Sequence, residues 1–165
     1  MKDNIVLIGM PGVGKSSAGI VLAKKLGYEF VDSDIVIQKE QGMLLKDIIA
    51  REGHDGFLRI EDSINSEIDV HRTVIATGGS AVYGGRAMKH FEEIGTIVYM
   101  RASYDTISSR LSDLNDRGVA INPGQTLLDL YNERTVLYEK YSEVTVDIDD
   151  LTIEQTIHKI AVFFI

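Results

Sequence analysis

Two patterns of apolar residues alternate along this chain: short unbroken runs rich in β-branched residues, and longer stretches in which apolar side chains return at helical spacing. Ile5-Val6-Leu7-Ile8 is the first run, of the right length for a buried strand. Ala18, Val21, Leu22 and Leu26 then mark one helix face, and Gly27 is a natural C-cap. Glu29-Phe30-Val31 predicts a short second strand, followed by a helix from about Ile35 that Gly42 interrupts. A further helix starts near Leu44 and runs to Glu52, Gly53 and Gly56 break the pattern, and Phe57, Ile60, Ile64 and Ile68 mark the face of the next helix. Thr73-Val74-Ile75-Ala76 is the third strand, Arg86 to Glu93 a helix, Thr96 to Met100 the fourth strand and Tyr104 to Leu114 a helix. Helical spacing resumes at Leu127, Leu130, Tyr131 and Tyr138; a fifth strand, Glu143 to Asp147, and a helix from about Ile153 follow.

Such alternation predicts an α/β fold whose largely parallel sheet is flanked by helices on both faces. Right-handed crossovers then bring the carboxyl ends of the strands to one edge, where such folds bind ligands. The segment from Asp113 to Gln125 stands apart. It holds Gly118, Pro123 and Gly124, shows no clear period, and reads as a long loop of the kind that usually serves function.

Between the first strand and the first helix lies Gly9-Met10-Pro11-Gly12-Val13-Gly14-Lys15-Ser16, which fits G-x-x-x-x-G-K-[S/T]. The glycines allow backbone conformations closed to other residues, so successive N–H groups can turn in on a polyphosphate. The helix starting near Lys15 adds the positive end of its dipole. Lys15 is placed to reach the β- and γ-phosphates of a nucleotide and the Ser16 hydroxyl to ligate Mg²⁺. The expected nucleotide-binding set is Gly12, Val13, Gly14, Lys15, Ser16 and Ser17.

Composition narrows the setting. The 165 residues suffice for one domain, 1–165, with a sizeable core; 44% are hydrophobic and 25% charged, as in ordinary globular proteins. There is no cysteine, hence no disulfide or thiolate metal site, and no apolar run long enough to span a bilayer. The first residues lack the pattern of a signal peptide, so a cytoplasmic setting is expected. A net charge of −8 without a basic stripe argues against nucleic acid as a partner, and His54, His71, His90 and His158 are scattered rather than grouped for a metal. A monomer is expected.

A phosphate-binding loop of this kind usually works with a carboxylate for its metal ion. The third strand ends in Thr77-Gly78-Gly79-Ser80 without an acid, whereas the second ends in Asp32-Ser33-Asp34. Asp32 and Asp34 are the nearest candidates, one to face the metal and one the acceptor hydroxyl, although capping a helix is the commoner role for such residues.

The chain resembles the shikimate kinases, small P-loop kinases. The resemblance rests on the P-loop, Asp32 and Asp34, the Gly56-Phe57-x-x-x-Glu61 frame, Thr77-Gly78-Gly79, Arg117, and Asn132-Glu133-Arg134-x-x-x-Tyr138. It implies a five-stranded sheet ordered 2-3-1-4-5, a helical substrate-binding region over about 33–61, a lid over about 113–125, and transfer of the ATP γ-phosphate to the 3-hydroxyl of shikimate, an alcohol acceptor. It further implies that Asp34 holds the acceptor hydroxyl and favours its deprotonation, that Asp32 acts on Mg²⁺ with Ser16, and that Gly78 and Gly79 let the backbone approach the substrate. Arg134 then grips the substrate carboxylate, Arg117 closes on the transferring phosphate, and Arg110 lies against the adenine.

The departures fall on the acceptor side. Where the family has an arginine after the phenylalanine of its Phe-Arg-x-x-Glu frame, this chain has Leu58, and Arg59 points about 100° away along a helix. The family's third glycine is Ser80, and the lid reads Arg117-Gly118-Val119-Ala120-Ile121 instead of Arg-Pro-Leu-Leu. Two alternatives therefore stay open: a related kinase acting on another small hydroxy acid or polyol, and an inactive nucleotide-binding regulatory homologue.

Overall fold

The computed structural model describes residues 1–111 and 119–165. Five strands form one parallel sheet in the order β2-β3-β1-β4-β5, as the resemblance implies. They are β1 (Asn4–Ile8), β2 (Glu29–Asp32), β3 (Thr73–Ala76), β4 (Gly95–Arg101) and β5 (Val144–Asp147). The central strand β1 is buried along its whole length, with Val6 opposite Ile75 on one side and Ile97 on the other. Covering a parallel sheet on both faces demands continuous apolar runs, which is why the central strands carry Ile-Val-Leu-Ile and Val-Ile-Ala. The two edge strands are partly exposed.

The helices are α1 (Lys15–Leu26), α2 (Ser33–Gln41), α3 (Leu45–Asn65), α4 (Gly85–Ile94), α5 (Tyr104–Arg110), α6 (Leu127–Tyr141) and α7 (Ile153–Ala161). Gly27 closes α1 in the left-handed conformation, as its position predicts. Both α6 and α7 start on a full capping box, Thr126 with Asp129 and Thr152 with Gln155. Among the described residues no helix is long and apolar enough to cross a membrane.

Four readings of the pattern need correction. Gly53 does break α3, with φ 74 and ψ 176, but Gly56 lies within the helix beyond the kink. Of the two, only Gly53 takes a conformation that a side chain would oppose. Val21 projects outward at 47% exposure, because Ala18, Gly19, Leu22 and Ala23 make the face of α1 that meets the sheet. Ile68 is buried but lies beyond the end of α3. Finally, α5 stops at Arg110, and 112–114 fall outside the described residues. A 3₁₀ turn at Ala81–Tyr83, too short to leave a periodic signal, follows β3.

The buried apolar residues form two clusters. The larger surrounds the sheet; the smaller, Ile37, Ile48, Phe57, Ile64 and Ala120, sits under α2 and α3. The second packs α2 on α3 and takes in Ala120 from the segment before α6.

Candidate active site

The turn after β1 wraps on itself before any ligand arrives. Gly12 and Gly14 have φ of 81° and 99°, which the turn into α1 requires. Lys15, only 7% exposed, donates from Nζ to the carbonyl oxygens of Gly9 at 2.7 Å and Met10 at 2.9 Å. Burial lowers its pKa to about 8; Asp34 and Asp32 oppose this and Arg134 adds to it. Arg110 also folds back here, donating from Nη1 to the carbonyls of Gly12 and Val13 at 3.3 Å each.

Asp32 has two tasks at once. Its Oδ1 accepts from the backbone N–H of Asp34 at 3.0 Å and of Ile35 at 3.4 Å, capping α2. Its Oδ2 accepts from the Ser16 hydroxyl at 2.6 Å. The capping role and the hydrogen bond from Ser16 coexist, because a carboxylate has an oxygen for each. Two hard oxygen donors on adjoining elements are a suitable partial ligand set for Mg²⁺, which completes its shell with water and phosphate oxygens.

Asp34 sits one step inside α2, where burial and then the charge of Asp32 raise its carboxyl to about 6, Lys15 opposing. Across from it lies the backbone of Gly78. A Cβ at Gly78 would stand 2.5 Å from Asp34 Oδ1 and 3.1 Å from Glu61 Oε2. One at Gly79 would stand 2.6 Å from Pro11 Cδ and 3.0 Å from Arg134 Nη1. These glycines are needed for close approach and not for left-handed backbone, since neither has a positive φ.

Arg134 and Tyr138, one turn apart on α6, both face Gly79. The Tyr138 hydroxyl donates to the Gly79 carbonyl at 2.6 Å. Arg134 is 1% exposed, lies over the Tyr83 ring, and donates from Nη2 to the Ala120 carbonyl at 2.6 Å. Its Nε has no hydrogen-bond partner among the described residues. Val119 and Ala120, from the described end of the expected lid, are buried and close over a cavity of about 40 Å³ that Asp34, Phe57, Gly78 and Arg134 also line. Arg117 lies outside the described residues.

Sequence reasoning assigned no role to Glu61 beyond its place in the frame. It is 2% exposed, and its Oε1 accepts from the Ser80 hydroxyl at 2.7 Å. The available signal was an acid on the apolar face that Phe57 and Ile64 define, one turn from Phe57. Leu58 packs half-buried against the smaller cluster. A larger surface concavity, about 1070 Å³ and lined by Val21 on α1, Leu151, and Ile153 and Ile157 on α7, holds none of the expected site residues.

One edge of the sheet thus gathers a phosphate loop, a hydroxyl–carboxylate pair, a second buried carboxyl and a buried guanidinium. The family described as "Shikimate kinase" matches residues 11–164. A shikimate kinase of Thermodesulfovibrio yellowstonii is 40% identical over 160 residues, 95% of this chain and 92% of that protein. Among solved structures, a shikimate kinase from Acinetobacter baumannii in complex with shikimate superposes with a TM-score of 0.88 at 30% identity, over 99% of this chain and 93% of that one. The shikimate kinase of Aquifex aeolicus gives 0.81 at 26% identity over 96% and 94%. The chain belongs to the shikimate kinase family, whose members are phosphotransferases with an alcohol group as acceptor.

Proposed function

We propose that this protein transfers the γ-phosphate of ATP to the 3-hydroxyl of shikimate. The convergence of Asp34 and Arg134 on the two glycines beside the P-loop carries this reading, because it sets a carboxylate and a guanidinium around one small pocket next to Lys15. Backbone N–H groups from Gly12 to Ser17 hold the phosphates, and Lys15 exchanges the loop carbonyls for the β- and γ-phosphates. Asp34 orients the acceptor hydroxyl and takes its proton, while Arg134 leaves the Ala120 carbonyl for the acceptor carboxylate. Arg117 brings positive charge to the transferring phosphate, and Arg110 turns from the loop to the adenine. Mg²⁺, held by Ser16 and Asp32, neutralises phosphate oxygens when bound. Most of the rate enhancement then comes from positioning and charge stabilisation.

A cytoplasmic monomer belongs to the same proposal; a net charge of −8 favours dispersed molecules, and light scattering tests the monomer. ADP release measured with ATP, Mg²⁺ and a panel of hydroxy acids and polyols tests the reaction. Shikimate is expected to be turned over best. Turnover of another acceptor with none of shikimate supports the second reading, a related kinase with a recut acceptor site, which Leu58 on an apolar cluster favours.

A further inference from the structure

Arg134, the guanidinium that the kinase reading gives to the acceptor, is held in a way that leaves its charge unpaired. It is 1% exposed, and among the described residues it makes no ion pair. Its hydrogen bond from Nη2 to the Ala120 carbonyl is the contact it gives up when an acceptor carboxylate binds. What remains is Tyr83, from the 3₁₀ turn after β3, whose ring centroid lies 5.4 Å from the Arg134 Cζ. A buried cation without a counter-ion is costly, and an aromatic face offsets part of that cost without neutralising the charge. The Tyr83 hydroxyl donates to Oε1 of Glu133, the residue before Arg134 on α6. The other oxygen, Glu133 Oε2, accepts from Gln125 Nε2 at 3.3 Å. Gln125 is itself fixed: its backbone N–H donates to the Asn122 carbonyl at 3.0 Å, and its Oε1 accepts from the Asn122 N–H at 3.3 Å. Gly124, with φ 81°, completes that turn after Pro123.

We propose that Tyr83 is a positioning residue for Arg134: its ring carries the guanidinium while the acceptor carboxylate binds, and its hydroxyl, with Gln125, occupies Glu133 so that this acid does not neutralise Arg134. The proposal rests on the kinase reading above, in which Arg134 meets the acceptor carboxylate. Glu133 and Arg134 adjoin in sequence but leave α6 about 100° apart, and Tyr83 stands between them. Both act on its hydroxyl: burial and then the Glu133 hydrogen bond raise the Tyr83 pKa, and Arg134 opposes them. A pair between Glu133 and Arg134 would put a carboxylate on the guanidinium that the acceptor's own carboxylate needs. Leu58 sharpens that need. With no arginine at position 58, Arg134 is the only cation among the described residues lining the small pocket, so its orientation and free charge decide more of the affinity.

Steady-state kinetics of the wild type, Tyr83→Leu, Tyr83→Phe, Glu133→Gln and Tyr83→Phe/Glu133→Gln, with shikimate and a panel of other hydroxy acids and neutral polyols, test this. Tyr83→Leu removes ring and hydroxyl together. KM for the hydroxy acid is expected to rise roughly tenfold, with kcat and KM for ATP within about twofold of wild type. KM for a neutral polyol is expected to stay unchanged, because the charge of Arg134 does not bind it. Tyr83→Phe keeps the ring but frees Glu133, so KM for the hydroxy acid is expected to rise about threefold. Adding Glu133→Gln removes the competing charge and returns KM to near wild type. Glu133→Gln alone stays near wild type, since its amide oxygen still accepts from Tyr83. A general loosening of the turn after β3 would not be relieved by changing Glu133.

A hydroxy-acid KM in Tyr83→Leu within about twofold of wild type overturns the proposal. So does an equal rise for hydroxy acids and polyols, which makes Tyr83 a packing residue only. Unless Glu133→Gln lowers the raised KM of Tyr83→Phe, the role given to the hydroxyl is overturned. Should Tyr83→Leu not fold, Tyr83→Phe and its double variant decide alone. The same pattern on another hydroxy acid, without turnover of shikimate, removes the shikimate reading and supports the role of Tyr83. Absence of wild-type turnover with every acceptor removes both.

Discussion

The two halves of the site are built on different terms. The phosphate half hangs from β1, which is buried along its whole length, and its groups are satisfied by the loop and the elements beside it: Lys15 on Gly9 and Met10, Ser16 on Asp32, Arg110 on Gly12 and Val13. The acceptor half rests on the small cluster under α2 and α3, one member of which, Ala120, comes from the expected lid. Every buried side-chain atom without a hydrogen-bond partner among the described residues lies on the acceptor side: Ser33 Oγ, His54 Nδ1, Glu61 Oε2, both polar atoms of Asn65, and Arg134 Nε. Buried polar groups are normally paired, and of these atoms only Arg134 Nε belongs to a residue that lines the small pocket. A loop that reads phosphate needs backbone amides and one lysine. A pocket that reads a particular hydroxy acid needs side chains, and these differ even inside a family.

The strongest way to break the comparison is at Lys15. Lys15→Ala is expected to lower kcat by about 10³-fold, the scale on which electrostatic groups at transferring phosphates act, while a thermal melt shows the fold retained. Activity close to wild type would mean the phosphate half is not the catalytic one. Asp34→Asn is expected to lower kcat about 10²-fold with KM for ATP within about threefold, because the amide cannot accept the proton. A collapse of ATP affinity in this variant would show that the two halves are not separable at Asp34. Leu58→Arg restores a cation to the acceptor half, so KM for shikimate is expected to fall roughly tenfold, with kcat changed less. An unchanged KM would show that Arg134 anchors the carboxylate without help.

The last effect is on stability. Glu61 is held protonated up to about pH 8 in the fold and ionises near 4.5 when unfolded, so between these values the native state binds the extra proton. Stability contributed by that proton is complete below pH 4.5 and is lost as pH rises toward 8, with a slope of at most about 1.4 kcal/mol per pH unit. Denaturant midpoints over pH 6 to 8, above the range in which Asp34 also contributes, are expected to fall more steeply in the wild type than in Glu61→Gln.

What could be read along the chain was what is local. The strand–glycine turn–helix of Ile5 to Leu26 is contiguous, so its pattern specifies both element and motif, and five strand signals with intervening helices were enough for the fold class. Asp32 and Asp34 were legible because they follow a strand end directly. The same method stumbled where a local cue has two meanings: Gly53 is a kink and Gly56 is not, and Val21 has helical spacing but faces outward.

Sequence by itself therefore determined the elements, the phosphate loop and the carboxylates beside it. Only the tertiary structure decided which distant groups meet. Right-handed crossovers carry β1 and β3 side by side, so Gly79 lands between Pro11 and Arg134, and Gly78 between Asp34 and Glu61. The Ser80 hydroxyl reaches Glu61 across 19 positions, and burial then raises the pKa of a surface-type acid. Periodicity reports which face of an element is apolar. It carries no information on what will be packed against that face, and the protonation of a buried group depends on that partner.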